Sequence, residues 1–316
     1  MKRGGGNSAR ARESLLAVVI ALSGTFSGCT KIGDGSGDDG DGSDADAAPA
    51  GPDAADEPGA FSSPSLIGPL SAAGFNDDDP TVTGDLRELF FNSNREGNSD
   101  LWFSVRDSVD QPWGDPQKVP GTGINTTSNE TAPEISSDGL TLYFSSNRSG
   151  GKGSQDIYIT TRTDRDAAWE MPELVPELNS SAADYSPVED DSGRAIYFYS
   201  ARDGGDQDLF VATRASVDDA WREPMPVAEL NTADNDADPF ITGDGLTLYF
   251  GSGPSGVLDL YVATRLDRDG TFDPPQPIDE VNSDAHDTDP WVSPAGRYLV
   301  LISNRSGDNE IYEAER

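Results

Sequence analysis

The chain has 316 residues and carries 57 acidic against 22 basic side chains, a formal net charge of −35. That balance excludes nucleic acid as a partner, because binding it requires Lys and Arg to neutralise phosphates. It also excludes docking of the folded part on an anionic membrane surface, and with one cysteine, Cys29, no intrachain disulfide can form.

The first element is an export signal. Lys2, Arg3, Arg10 and Arg12 precede an apolar stretch, Ser14 to Gly28, that is short for a bilayer span and ends in small residues. Phe26-Ser27-Gly28-Cys29 resembles a bacterial lipobox, with Phe26 where Leu is usual. The resemblance implies a signal peptide over residues 1–28, lipidation of the Cys29 thiol and a membrane anchor through acyl chains. Thr30, rather than Asp, follows the cysteine. In lipoproteins of this type that implies an outer-membrane location in the cell envelope, facing the periplasm or the surface. An ordinary signal peptide that happens to contain Cys29 is the alternative.

Residues 29–60 follow as a tether. From Gly33 to Ala60 there is no Lys, Arg or aromatic, and such a segment cannot offset its ordering entropy. Its Asp-Gly runs do not make a calcium loop. Asp39 to Asp44 lacks the sixth-place Gly, and no Glu stands at the twelfth.

Residues 61–316 say one thing five times. Pro80, Pro133, Pro187, Pro239 and Pro290 recur with a period of about fifty residues, a spacing that signals a propeller or solenoid. In the second unit Pro133–Ser136 reads as a short strand opened by its proline, and Asp138-Gly139 as a hairpin turn. Thr141–Ser146 and Asp156–Arg162 are two further strands, and Trp169 to Leu178, with Pro172 and Pro176, supplies an outermost one. Four strands per unit without a helical period predict an all-β, five-bladed β-propeller.

The fifth unit stops at Arg316 without an outer strand, and the missing piece stands at the other end of the repeats. Phe61, Pro64, Ile67 and Leu70 match Phe272, Pro275, Ile278 and Val281. The N-terminal segment is therefore expected to complete the last blade, closing the ring and removing exposed edges.

The pattern Pro-x-hydrophobic-Ser-x-Asp-Gly, then Leu-Tyr-Phe-Ser-Ser-Asn-Arg and Asp-Ile-Tyr, is best developed at Pro133–Arg162. It resembles the WD-like propeller repeats of the TolB family. In that family the propeller is a periplasmic platform for protein partners, so the resemblance implies the fold and a binding face. The chain lacks the N-terminal α/β domain of TolB.

Few residues offer chemistry. His286 is the sole histidine, there is no G-x-S-x-G elbow, and His286 reads as a loop residue. Asp77, Glu130, Asp184, Asp236 and Asp287 stand three places before the repeat prolines, on loops expected to ring one mouth of the channel. Arg95, Arg148, Arg202 and Arg305 end the second strands and are expected to fork onto those acids. Pro254 takes that place in the fourth unit, so Asp236 should be the least paired.

Symmetry fails in one sector. Asp77, Asp79, Asp236, Asp238, Asp287 and Asp289 come from units one, four and five, which become neighbours on closure. They are candidates for a hard cation such as Ca²⁺, or for a basic segment of a partner; solvated loop acidity is the alternative. The sequence thus favours a monomeric, non-catalytic, envelope-anchored binding platform for a protein or peptide. The alternative is a carbohydrate-binding or glycoside-hydrolysing propeller, for which Tyr185 or Trp291 would suit sugar stacking, although both read first as inter-blade packing.

Overall fold

A computed structural model describes residues 59–316; the expected signal peptide, the expected lipidation site Cys29 and most of the expected tether lie outside the described residues. The described chain forms five four-stranded antiparallel sheets, the blades of a five-bladed propeller. A short strand, β1 (Ser65–Leu66), comes first. Blade one then holds β2 (Asp77–Val82), β3 (Glu88–Ser93), β4 (Asp100–Val105) and β5 (Gln117–Lys118). Blade two holds β6 (Glu130–Ile135), β7 (Thr141–Ser146), β8 (Asp156–Thr161) and β9 (Glu173–Leu174). Blade three holds β10 (Asp184–Glu189), β11 (Ala195–Ser200), β12 (Asp208–Thr213) and β13 (Met225–Pro226). Blade four holds β14 (Asn235–Ile241), β15 (Thr247–Gly253), β16 (Asp259–Thr264) and β17 (Gln276–Pro277). Blade five has β18 (Asp287–Val292), β19 (Tyr298–Ser303) and β20 (Glu310–Glu315), and borrows β1 as its fourth strand.

The ring closes as the sequence leads one to expect. Ser65 pairs with Glu313 and Leu66 with Tyr312, antiparallel. Phe61, Ile67 and Leu70 are buried at the same seam. A second arginine repeat, unremarked in the sequence, reports the same closure. Arg106, Arg162, Arg214 and Arg265 each lie over the aromatic that precedes their blade's outer strand, at 4.0 to 4.5 Å from its centroid. The fifth copy is Arg316 over Phe61, at 4.2 Å, so the two ends of the ring supply one stacked pair.

Two expectations need correction. The outer strands are two residues long, far shorter than Trp169 to Leu178, because flanking prolines such as Pro172 and Pro176 have no N–H for the ladder. The repeat proline does not open its strand either. Each innermost strand begins three residues earlier or more, and the proline sits at a register break, as between Thr131 and Glu134. A bulge leaves its extra residue outside the ladder, so the missing donor costs nothing there.

Candidate functional site

Those bulges build the channel. The residue before each repeat proline adopts a left-handed backbone: Asp79 at φ 53°, Ala132 at 48°, Ser186 at 47°, Asp238 at 51° and Asp289 at 49°. Such φ values are uncommon outside glycine and are least strained for Asp and Asn, whose short side chains bond locally. The local kink re-aims each side chain, and all five line one narrow cavity of about 30 Å³ at the neck of the ring.

Three of the five are carboxylates. Asp79, Asp238 and Asp289 come from adjacent blades and bring oxygens within 4.8 Å of one another. Ser186 Oγ donates to Asp238 Oδ1 at 3.2 Å, Thr288 Oγ1 to Asp238 Oδ2 at 2.5 Å, and the Ala132 N–H to Asp79 Oδ2 at 3.3 Å. None of the three is ion-paired among the described residues. Burial first, then the neighbouring acids, push Asp79 up to about 8 and Asp289 well above the usual carboxylate range. Asp238 is raised by burial, and Asp78, whose Oδ2 accepts from Asn309 Nδ2 at 3.0 Å, is raised to about 6 by the same cause. Like charges this close cannot all ionise unaided, so the triad holds protons or a cation.

The remaining members of the acidic sector are elsewhere. Asp77, Asp236 and Asp287 stand at the start of their innermost strands, fully buried within their own blades, and do not ring an open mouth. Four blades carry the expected fork. Arg95 pairs with Asp77, Arg148 with Glu130 at 3.1 Å, Arg202 with Asp184 at 2.6 Å and Arg305 with Asp287 at 2.5 Å. Asp236 has no such partner: the Thr232 N–H reaches its Oδ2 at 2.5 Å, and its buried Oδ1 has no partner of ordinary hydrogen-bond geometry, the Ser252 hydroxyl being the polar group beside the carboxylate. The six acids therefore divide into a channel triad, two members of structural forks (Asp77 and Asp287) and the unpaired Asp236.

His286 is structural. Its Nδ1 accepts the Leu258 N–H at 2.9 Å, and its own N–H donates to Asn304 Oδ1 at 3.0 Å. Tyr185 stacks on Tyr199 with centroids 5.2 Å apart, and Trp291 is buried beside Phe240 at 5.9 Å.

One residue escaped the sequence reading. Glu134 follows its repeat proline at a place held elsewhere by Thr81, Val188, Phe240 and Trp291, so alignment of the units alone would have singled it out. It lines both the neck and a wide vestibule of about 1030 Å³ at the hairpin end of the innermost strands. Burial raises its carboxyl to about 8, against a hydrogen bond with Thr81. The vestibule is acidic. Glu189 and Asp190 are paired with Arg214 and Arg268, whereas Asp138, Asp191 and Asp244 are exposed and lack an ion pair among the described residues.

Among solved structures the chain is similar to the α-L-arabinofuranosidase catalytic domain of Coprinopsis cinerea, with 14% identity and TM-score 0.52 over 81% of this chain and 96% of that one. A thermostable family-43 glycoside hydrolase matches at 14% identity and TM-score 0.52, over 77% and 89%. The shared feature is the fold. A TolB-type protein from Agrobacterium tumefaciens is 21% identical over 78% of this chain and 79% of that one, with TM-score 0.48. No family model matches the chain, and no curated protein matches it.

Proposed function

We propose that the protein is a non-catalytic binding propeller, anchored in the cell envelope through Cys29, whose acidic vestibule receives a basic segment of a protein partner. The observation that carries this reading is the narrow neck. Carboxylates clustered within 4.8 Å around a cavity of about 30 Å³ leave space comparable to one water's share of the liquid, not to a sugar ring. A glycosidase needs its two carboxylates on either side of a bound glycosidic bond. The wide space instead lies below the neck, where unpaired Asp138, Asp191 and Asp244 surround it and offer charge complementarity to Lys and Arg. The TolB-type repeat implies the same use of a propeller face.

In this reading the triad is a plug. Asp79, Asp238 and Asp289, with the Ser186 hydroxyl, supply hard oxygen ligands suited to Ca²⁺, water completing the shell. Titration calorimetry with Ca²⁺ should give a saturable heat that Asp289→Asn abolishes; no heat in the parent protein would remove the cation. The platform reading is tested separately, by photo-crosslinking from position 191 in envelope extracts. A Lys/Arg-rich partner lost on joint Asp138→Asn, Asp191→Asn and Asp244→Asn substitution is expected. A blank crosslink beside a positive glycan array would reverse the assignment.

A further inference from the structure

The four occupied forks define what the fourth blade lacks. In each, the arginine meets the strand carboxylate and a fixed carbonyl: Leu70 O for Arg95, Ile124 O for Arg148, Leu178 O for Arg202 and Val281 O for Arg305, at 2.7, 2.8, 2.5 and 2.7 Å. The guanidinium also covers aromatic rings. Arg95 lies 5.2 and 4.9 Å from the Phe91 and Trp102 centroids, Arg148 5.1 and 4.9 Å from Phe144 and Tyr158, and Arg202 4.9 and 4.8 Å from Phe198 and Phe210.

Blade four keeps every wall of this receptacle. Asp236 pairs in register with Ser252, as Asp184 does with Ser200. Leu230 holds the carbonyl position, since Thr232, two residues on, donates to Asp236 as Ser180, two after Leu178, does to Asp184. Phe250 and Tyr261 supply the stacked pair, with centroids 6.1 Å apart. Pro254 stands where the arginine should be.

Three consequences of the missing side chain are visible. Asp236 Oδ1, the atom matching the one that binds arginine in Asp77, Asp184 and Asp287, is buried without a partner. Tyr261 is half-buried, although Trp102, Tyr158, Phe210 and Tyr312 at the same place are buried. The surroundings stay acidic as well. Asp234 acts on Asp236, and Asp208 lies among Asp236, Asp203 and Asp206; none of these acids has an ion pair among the described residues. A buried, unpaired carboxylate is costly, and here the structure has retained it beside a preformed aromatic wall.

We propose that blade four carries an arginine socket, closed in this structure over a fully buried Asp236, in which the Asp236 carboxylate, the Leu230 carbonyl and the Phe250–Tyr261 pair bind the guanidinium of an arginine from another protein once loop 254–257 moves aside. Charge complementarity and the four internal copies name the guest: a planar fork that bonds a carboxylate and stacks on a ring, rather than a spherical ammonium. The guest approaches past the exposed loop 254–257 and the open side of Tyr261. The socket lies at the opposite end of β14 from the vestibule and does not rest on the reading of that vestibule.

The test uses the blocked tripeptide acetyl-Gly-Arg-Gly-amide as probe, with its lysine counterpart and Ca²⁺ as controls. In amide NMR titrations the arginine peptide should shift Thr232, Ser252 and Tyr261 saturably, with affinity about tenfold or more above the lysine peptide. Pro254→Arg should fill the socket from within, raise the melting temperature and abolish those shifts. Asp236→Asn should abolish them too, which keeps the proposal testable if Pro254→Arg does not fold. Equal response to lysine, a response to Ca²⁺ alone, retention of binding in a folded Pro254→Arg variant, or no saturable shift would each overturn it.

Discussion

At the residue scale, stability and candidate function share one motif, the carboxylate buried three places before each repeat proline. Where the guanidinium is present, removing it strands a charge in the blade, and breaking such a pair costs about 3–5 kcal/mol. Arg202→Ala should therefore lower stability in urea denaturation by about that amount, since Asp184 is fully buried. Asp236→Asn should leave stability unchanged or raise it, because it removes a buried charge that has no counter-ion. Equal losses in the two variants would show that the fork is not what supports the blade. The fork was legible in the sequence because acid and arginine repeat at fixed offsets. The channel triad was not separable from it, because only the bulge turns Asp79, Asp238 and Asp289 towards the axis.

At the scale of the element, the weakest parts of the fold are the outer strands. Each of these pairs through two residues, so the outer edge is held by side chains around it more than by its ladder. Trp113, Trp169, Trp221, Phe272 and Phe61 are those side chains, each buried and each covered by an arginine. Phe61→Ala should cost about 3–5 kcal/mol, as loss of a buried aromatic does, measured by thermal or urea unfolding. Removing residues 61–70 should lower the melting temperature further and leave the β20 edge open, with oligomers appearing on size-exclusion chromatography. A truncated chain that stays monomeric with an unchanged melt would mean that β1 is dispensable. The sequence exposed this closure because Phe61 to Leu70 copies the spacing of Phe272 to Val281.

For the whole molecule, the triad ties stability to pH. Burial and mutual repulsion raise Asp79 to about 8, so between about pH 4, where the unfolded chain loses that proton, and about 8 the folded state binds more protons than the unfolded one. Stability from this source is full below the lower limit and is lost as pH rises through the upper one. In cation-free buffer the melting temperature should fall from pH 5 to pH 8, and Asp79→Asn should flatten that slope. A bound cation takes the protons' place, so Ca²⁺ should raise the melting temperature more at pH 8 than at pH 5. A parent protein whose melt is flat across this window would remove the shared-proton account of the neck.

The sequence by itself determined the number of blades, the strands within them, the closure and the fork that blade four lacks, because each is repeated and repetition makes position comparable. Glu134 was legible by the same comparison, as the lone charge at its place in the unit. Only the tertiary structure decided which acids meet. Asp77 and Asp79 are two residues apart, yet one lies sealed in a blade and the other faces two carboxylates across the axis. The reason is a left-handed residue inside a strand, which reverses the alternation of faces that a sequence pattern assumes. The narrow neck follows from that geometry.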